Sequence, residues 1–452
     1  MNSFSQFFQK FNHLFIHWID KSFQDPLLSH RLGKGTSWSA LGSILSRGCI
    51  ILAYIFVARL IGKSEFGQVG IIQSTILMLT SFAGFGSGMM ATKFVSQYCR
   101  QYPQKAGSII FLAELVTFFL SLILSALFFG FSGIIASKAL AAPQLAPLLK
   151  VSALLLFFNT LSGTQLGILT GFEAFKKIAH INLIIGAGSV FLLPLGALSL
   201  GIKGVIWAMI IVSLMNWLLN LYTLQKIYII NNIHRTFTFS KSDLKLLWTF
   251  NFPSFLSSLA FTSASWICNA MLVNATGYGE MGIINACNNW YNVILFFPTI
   301  ISGIILPIMS ERFGSNEHTQ TRKIVFFSIK INAIIILPFV IILTLFSPFF
   351  MSLFGESFRS SWLPLILTVL TGLLFAIQLP IGQLIATRNK MWLGFYMNFG
   401  WAVFFIGFNY LFIDYGANGL VIARLIAYCI HSIWTFGWFF YIAKKMSVNI
   451  DH

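Results

Sequence analysis

Long apolar runs alternate with short polar segments along most of the chain. Twelve of these runs contain the roughly 20 residues that an α-helix needs to cross a bilayer. A transmembrane barrel would instead show segments of about ten residues with alternating apolar and polar positions, a pattern that the sequence lacks. We therefore predict an all-α polytopic membrane protein with twelve transmembrane helices. They are numbered spans 1 to 12 and cover residues 37–61, 66–92, 107–131, 148–172, 180–200, 203–226, 248–274, 281–309, 324–346, 362–387, 392–413 and 417–443.

The first 35 residues show a different pattern, in which apolar positions recur at helical intervals. A cleavable signal peptide would need a continuous apolar core instead. Phe4, Phe8, Phe11 and Phe15 share one helical face, and the opposite face is polar. This spacing is typical of an amphipathic helix in the membrane interface, with a soluble helix packed beneath the bundle as the alternative. Residues 1–35 are therefore predicted as a cytoplasmic interfacial segment.

The composition agrees with a membrane protein, because 57% of the residues are hydrophobic and 9% are charged, against about 25% charged in soluble domains. The chain holds 29 Lys and Arg against 12 Asp and Glu, a net charge of +17. When loops are assigned alternately to the two sides, twenty cations fall on one side and five on the other. Cations concentrate in cytoplasmic loops. Both termini are therefore predicted to be cytoplasmic.

An internal repeat recurs at an offset of 215 residues. The segment from Gly62 to Gly67, between spans 1 and 2, matches the segment from Gly277 to Gly282, between spans 7 and 8. Because each repeat contains six spans, both repeats enter the membrane from the same side. We predict two six-helix lobes that face each other across a cleft and are related by a pseudo-twofold axis along the membrane normal. The predicted domains are the segment 1–35, an N-terminal lobe (36–226), a cytoplasmic linker (227–247), a C-terminal lobe (248–443) and a tail (444–452).

Four cations fall inside predicted spans, namely Arg47, Arg424, Lys330 and Arg59. A charge at mid-membrane costs at least about 2.5 kcal/mol, so it persists where it meets water, a partner or a ligand. Arg47 lies ten residues into span 1 and Arg424 seven residues into span 12, both too deep to reach the interface easily. Lys330 is shallow enough to snorkel, and Arg59 is close to the external end. All four are candidate ligands for an anion, with a structural role as the alternative.

Glu114 is the acidic residue that the pattern places deep in the membrane, in span 3. It is a candidate for proton or sodium coupling. The alternative is a counter-charge for Arg47 or Lys330.

Amide side chains follow one face of span 8, which carries Asn285, Asn288, Asn289 and Asn292. Such a face cannot be exposed to lipid, so it lines water or another helix. The repeat offset pairs Asn288 with Gln73 in span 2. These five amides are candidates for a wall that binds sugar hydroxyls, and hydrogen bonding between helices is the alternative.

No motif for a metal, cofactor or catalytic nucleophile is present. Five cysteines occur singly, without the paired spacing of a zinc site or disulfide framework. The sequence also lacks a phosphate-binding loop, a dinucleotide fingerprint and a nucleophile elbow. We therefore predict neither a cofactor nor an enzyme.

Three segments carry a family resemblance: Thr36-Ser-Trp-Ser-Ala, the segment from Ala58 to Gly67, and Gly201-x-x-Gly204-x-x-x-Ala208. They resemble the polysaccharide-export and O-antigen flippases of the multidrug/oligosaccharidyl-lipid/polysaccharide exporter superfamily. The resemblance implies a bacterial inner-membrane flippase for an undecaprenyl-pyrophosphate-linked oligosaccharide, working by alternating access. Arg47, Arg424, Lys330 and Arg59 would then bind the pyrophosphate. The expected partners are the polysaccharide synthesis and polymerisation machinery. No nucleic-acid partner is expected.

Two alternatives remain at this stage. A drug or cation antiporter of the same superfamily would need acidic groups facing the cavity. Glu114 is the one acidic residue predicted deep in the membrane, which is few for this role. A membrane polysaccharide polymerase or ligase would carry a large external loop with charged residues. The longest external loop here, about 132–147, holds one Lys and no acid.

Overall fold

The structure, a computed structural model, describes residues 26–235, 251–299, 301–302, 309 and 318–448. Side chains are described for residues 45–235, 251–299, 301–302, 309 and 321–444. The start of the predicted interfacial segment (1–25), most of the predicted linker and the end of the predicted tail therefore lie outside the described residues.

Every regular element within these ranges is helical. The helices are α1 (Pro26–Gly84), α2 (Ser87–Tyr98), α3 (Pro103–Ile134), α4 (Ala146–Gly171), α5 (Phe175–Ile230), α6 (Phe252–Thr276), α7 (Tyr278–Ile294), α8 (His318–Leu345), α9 (Ser347–Ser352), α10 (Trp362–Thr387), α11 (Met391–Phe412) and α12 (Gly416–Val448). Short π and 3₁₀ turns connect some of them.

Eight helical stretches in the described part of the chain are long and apolar enough to cross a membrane. Three of them contain a break and so hold two predicted spans each: Leu45–Gly84, Phe175–Ile230 and Met391–Lys444. Span 8 begins with α7, whose 17 residues end at Ile294. The described residues are therefore consistent with twelve spans.

The predicted repeat is present in the backbone conformation. Gly62 breaks α1 with φ 81° and ψ 170°, and Gly277 separates α6 from α7 with φ 89° and ψ 176°. Gly201 breaks α5 with φ 57° and ψ −138°, and Gly416 begins α12 with φ 60° and ψ −135°. Positive φ suits glycine because it has no Cβ atom. Equivalent glycines therefore set equivalent turns in the two lobes.

An acidic residue from each repeat motif lies at the same corner of its lobe. Glu280 Oε2 accepts a hydrogen bond of 2.9 Å from the backbone N–H of Ala417, at the start of span 12. A carboxylate stabilises a helix N-terminus because the N–H groups there are unpaired and the helix dipole is positive. The equivalent Glu65 lies beside Gly201, where span 6 begins.

Span 2 departs from the sequence prediction. The prediction of one helix over residues 66–92 is wrong, because Phe85 and Gly86 have φ values of 45° and 70° and end α1. The chain continues in α2, which is partly apolar. Hydropathy is continuous through this turn, so it does not reveal the break.

The lobes touch each other at both ends of the bundle. At the end that contains Gly62, called the Gly62 end, a Cβ atom on Gly67 would collide with the backbone oxygen of Tyr278. The equivalent Gly282 packs in the same way against the backbone oxygen of Lys63. The two lobes therefore close upon each other about their pseudo-twofold axis.

At the opposite end, called the Lys93 end, Lys93 Nζ donates 3.2 Å to the oxygen of Ala386 and also bonds Asn389 Oδ1. Phe85 packs against Phe255, with ring centroids 5.1 Å apart. Within the described residues, contacts between the lobes thus limit the central space at both ends.

Candidate functional site

A cavity of about 940 Å³ lies between the two lobes. It falls at the upper end of the range for small-molecule sites, about 300–1,000 Å³. Among the described residues that line it, Arg47 and Arg424 carry charge, and no acidic side chain is present. The described lining therefore favours an anion.

Arg47 reaches the cavity because of the way span 1 packs on span 5. Its neighbour Ser46 is buried against Gly186, where a Cβ atom would lie 2.7 Å from Ser46 Cα. This contact fixes the rotation of span 1 and turns Arg47 toward the central space. Within the described part of the chain, Arg47 makes no hydrogen bond or ion pair. A guanidinium in this position is suited to an anionic ligand.

Arg424 enters the same cavity from span 12. Its Nη1 donates a hydrogen bond of 3.1 Å to Asn288 Oδ1 in span 8. This neutral amide orients the guanidinium without neutralising it. Four of its five N–H donors are thus not used in this contact.

The two arginines lie at different depths. Arg424 follows Gly416 by eight residues, and Arg47 precedes Gly62 by fifteen. At 1.5 Å per residue they lie about 12 and about 22 Å from the Gly62 end. A guanidinium on a long side chain spans several ångströms, so the two can approach one ligand from opposite lobes.

The predicted amide wall also lines the cavity. Asn285, Asn288, Asn289 and Asn292 of span 8 and Gln73 of span 2 all border it. Asn285 is the most buried of the span 8 four, and its Nδ2 donates 3.1 Å to the backbone oxygen of Phe66 in the other lobe. Gln73 Nε2 donates to the hydroxyl of Tyr54. Asn285 therefore joins the lobes, while Asn292, the most exposed of the wall, faces the open space.

Two of the predicted ligands lie elsewhere. Span 9 packs on span 10 through Asn332, whose Nδ2 donates 2.9 Å to the oxygen of Ala376. Lys330, two residues earlier and on a different helical face, is exposed and outside the cavity lining. Arg59 Nε donates 2.7 Å to the oxygen of Leu353 in the opposite lobe. Arg59 thus connects the lobes at the Gly62 end.

Glu114 also lies outside the cavity lining. Its Oε2 is 3.2 Å from Arg235 Nη1, and its Oε1 accepts a hydrogen bond of 3.2 Å from the Tyr228 hydroxyl. The alternative, a counter-charge for Arg47 or Lys330, is wrong, because Glu114 pairs with Arg235. The counter-charge comes from Arg235, because the chain after span 6 returns to the start of span 3.

A second group of polar residues on the cavity wall was not predicted. Five residues of spans 4, 5 and 6 in the N-terminal lobe line the cavity and are called the amide patch: Asn159, Asn182, Ser213, Asn216 and Asn220. The spacing of Ser213, Asn216 and Asn220 places them on one helical face, which is the pattern that revealed the wall on span 8. Asn159 and Asn182 are single amides in apolar spans and give no such signal.

Comparisons with known proteins agree with this architecture. A family model described as polysaccharide biosynthesis protein matches residues 56–366. The chain is 22% identical to the EPS I polysaccharide export inner membrane protein EpsE of Ralstonia nicotianae, over 87% of this chain and 91% of that protein. It is 21% identical to the succinoglycan biosynthesis transport protein ExoT of Rhizobium meliloti, over 73% of this chain and 64% of the relative.

Solved structures with the same fold are transporters of the MOP superfamily. An outward-facing multidrug resistance MATE family transporter superposes with a TM-score of 0.74 at 16% identity, over 93% of this chain and 98% of that chain. A MOP superfamily transporter from Pyrococcus furiosus gives the same TM-score and identity over 92% and 96%. Its structure is described as having a binding pocket of reversed polarity. These likenesses confirm the predicted all-α two-lobe fold. The family match, which spans more than half of the sequence, shows that the chain belongs to the polysaccharide biosynthesis protein family.

Proposed function

We propose that the protein is a flippase that moves an undecaprenyl-pyrophosphate-linked oligosaccharide across the bacterial inner membrane. The observation that carries this proposal is the charge of the cavity, where two arginines face the space without an acidic side chain among the described lining residues. A pyrophosphate is an anion that guanidinium groups bind well through charge-assisted hydrogen bonds. The names of the relatives, which refer to polysaccharide export and transport, support the same substrate class.

Arg47 and Arg424 are the proposed pyrophosphate ligands, and the amides of span 8 with Gln73 are proposed to contact the sugars. Transport would follow from alternating access, with separation of the lobes at one end at a time. The proposed domains are the lobes 36–226 and 248–443, and the proposed orientation has both termini in the cytoplasm. The Gly62 end would then face the periplasm.

Two further observations favour this proposal over the alternatives. A cation or drug antiporter would require carboxylates on the lining, and Glu114 is paired with Arg235 away from it. An enzyme is disfavoured because the relatives are named as export or transport proteins.

The proposal is tested with Arg47→Ala and Arg424→Ala in cells and in purified protein. Each variant should lose surface polysaccharide, accumulate lipid-linked oligosaccharide in the membrane, and bind undecaprenyl pyrophosphate about 10- to 100-fold more weakly. Arg359→Ala is the matched control, because Arg359 is exposed and pairs with Glu356 outside the cavity. Normal surface polysaccharide in the Arg47→Ala, Arg424→Ala double variant, at normal protein level, would refute the proposal.

A further inference from the structure

The two lobes have equivalent backbone folds but differ in the side chains that fill their interiors. In the N-terminal lobe, spans 1 and 5 meet through two small residues, Ser46 and Gly186. The repeat offset places Phe261 and Trp401 at the equivalent positions of the C-terminal lobe. These rings stack with centroids 4.7 Å apart and planes 21° apart. The C-terminal lobe is therefore closed by aromatic side chains at a level where the N-terminal lobe has small ones.

At a second pair of equivalent positions, the N-terminal lobe leaves space that the C-terminal lobe fills. Gly163 of span 4 lines the cavity, and a Cβ atom there would meet nothing within 4 Å. The equivalent residue in span 10 is Gln378, which is buried. Its Oε1 lies 2.6 Å from His431 Nδ1, and its Nε2 donates 2.6 Å to Ser432 Oγ. Polar groups of the C-terminal lobe thus bond one another in a space that the N-terminal lobe leaves open.

The amide patch lies on this open side. Ser213 Oγ donates 2.6 Å to Asn159 Oδ1, and Asn220 Nδ2 donates 3.4 Å to Asn216 Oδ1. Within the described residues, the side-chain nitrogens of Asn159 and Asn216 donate to no protein acceptor. An amide that faces an apolar environment without a partner costs free energy, so these groups are suited to water or to a polar ligand.

We infer that the amide patch is a binding site for the hydroxyl groups of an uncharged sugar, placed beside the anion site. Amides donate and accept hydrogen bonds, which matches the dual character of a hydroxyl. None of the five patch residues is ionisable, so a phosphate finds no counter-charge among them.

The position of the patch relative to Arg47 supports this assignment, which rests on the proposed function. Asn216 follows Gly201 by fifteen residues, and Arg47 precedes Gly62 by the same number. Both therefore lie about 22 Å from the Gly62 end. A sugar joined to a phosphate at Arg47 would meet the patch at the same level of the membrane. The patch therefore selects the sugar, while the arginines recognise the phosphate that every such cargo carries.

The test compares two probes on the full-length protein in lipid nanodiscs. One probe is undecaprenyl pyrophosphate, and the other is the lipid-linked oligosaccharide extracted from cells that lack the protein. Asn159→Leu combined with Asn216→Leu preserves side-chain size and removes the free donors. The double variant should bind the sugar-bearing probe about tenfold more weakly than the wild type. Its affinity for undecaprenyl pyrophosphate should stay within about twofold of the wild-type value, because the patch does not contact the phosphate.

Asn231→Leu, an exposed asparagine outside the cavity in the same lobe, is the matched control and should change neither affinity. Should the double variant not fold, Asn216→Ala alone is expected to weaken binding of the sugar-bearing probe selectively, by a smaller factor. Equal affinities of the wild type and both patch variants for the sugar-bearing probe would overturn the inference and leave the proposed function standing. A wild type that binds neither probe would overturn both.

Discussion

Gly70 and Asn285 occupy equivalent positions in the two repeats and lie against each other. A Cβ atom on Gly70 would lie 2.9 Å from Asn285 Cβ. Two equivalent residues touch where the pseudo-twofold axis passes between them. The axis therefore runs through the crossing of spans 2 and 8. At this point span 8 carries a side chain, Asn285, and span 2 has a glycine.

The same crossing makes the closure at the Gly62 end sensitive to one methyl group. Gly67→Ala places a Cβ atom onto the backbone oxygen of Tyr278, so the lobes cannot approach as they do here. We expect surface polysaccharide to fall more than tenfold at normal protein level, because a rigid backbone contact cannot relax cheaply. Gly133→Ala is the control, since nothing lies within 4 Å of its Cβ position. If the Gly67→Ala variant exports as much polysaccharide as the wild type, this closure is not part of the transport cycle.

Charge and shape are separable at Arg47. Arg47→Lys keeps the positive charge but loses the bidentate guanidinium, so partial export is expected, whereas Arg47→Ala should abolish it. Surface polysaccharide and membrane protein level are measured together. Loss of the protein from the membrane in both variants would indicate a structural role. Equal loss of export at normal protein level would indicate that geometry matters more than charge.

Raising the pH should favour closure at the Lys93 end. Burial lowers the pKa of Lys93 to about 8 in this arrangement, whereas an exposed lysine titrates near 10.4. Between these values the closed arrangement binds fewer protons than an open one. The equilibrium constant for closure therefore increases by up to about tenfold for each pH unit above 8, until the pH reaches about 10.4.

The measurement is the rate of maleimide labelling of Leu166→Cys, a cavity position. The rate is divided by that of the same cysteine in a Lys93→Met background, which removes the intrinsic pH dependence of the thiol. The ratio should fall as the pH rises from 8 to 10. A ratio that stays constant would contradict the assignment of this closure to Lys93.

The helix cap formed by Glu280 should contribute measurably to stability. Glu280→Ala removes the acceptor for the Ala417 N–H, and loss of such a cap costs about 0.5–2 kcal/mol. We expect the apparent Tm in detergent to fall by about 1–3 °C. Glu356→Ala serves as the comparison, because the pair of Glu356 with Arg359 is exposed and contributes little. An identical Tm for both variants would argue against a stabilising cap.

The sequence predicts backbone features well where a residue type has a local consequence. Gly62, Gly277, Gly201 and Gly416 share a repeat offset, and each adopts a positive φ because glycine tolerates it. The turn at Phe85 escaped prediction because the apolar run continues through it. Local composition thus locates the helices and their repeat, and tertiary packing decides where a helix is interrupted.

The site was partly predictable for a related reason. Depth in a span follows from counting residues, and this identified Arg47 and Arg424. The direction in which a side chain points depends on helix rotation, which packing sets. Lys330 therefore lies outside the cavity. Glu114 found its partner 121 residues away in Arg235, a distance that no local pattern spans.

The stack of Phe261 on Trp401 has a consequence for how such a protein diversifies. A half whose interior is filled with interlocked rings tolerates few changes and offers a fixed wall. The other half has a close contact between small residues at these positions and open volume at Gly163, so substitutions beside that volume would alter recognition without disturbing the scaffold. The wall of the C-terminal lobe would thus stay constant among proteins with this arrangement, and differences in cargo preference would arise from substitutions in the N-terminal lobe.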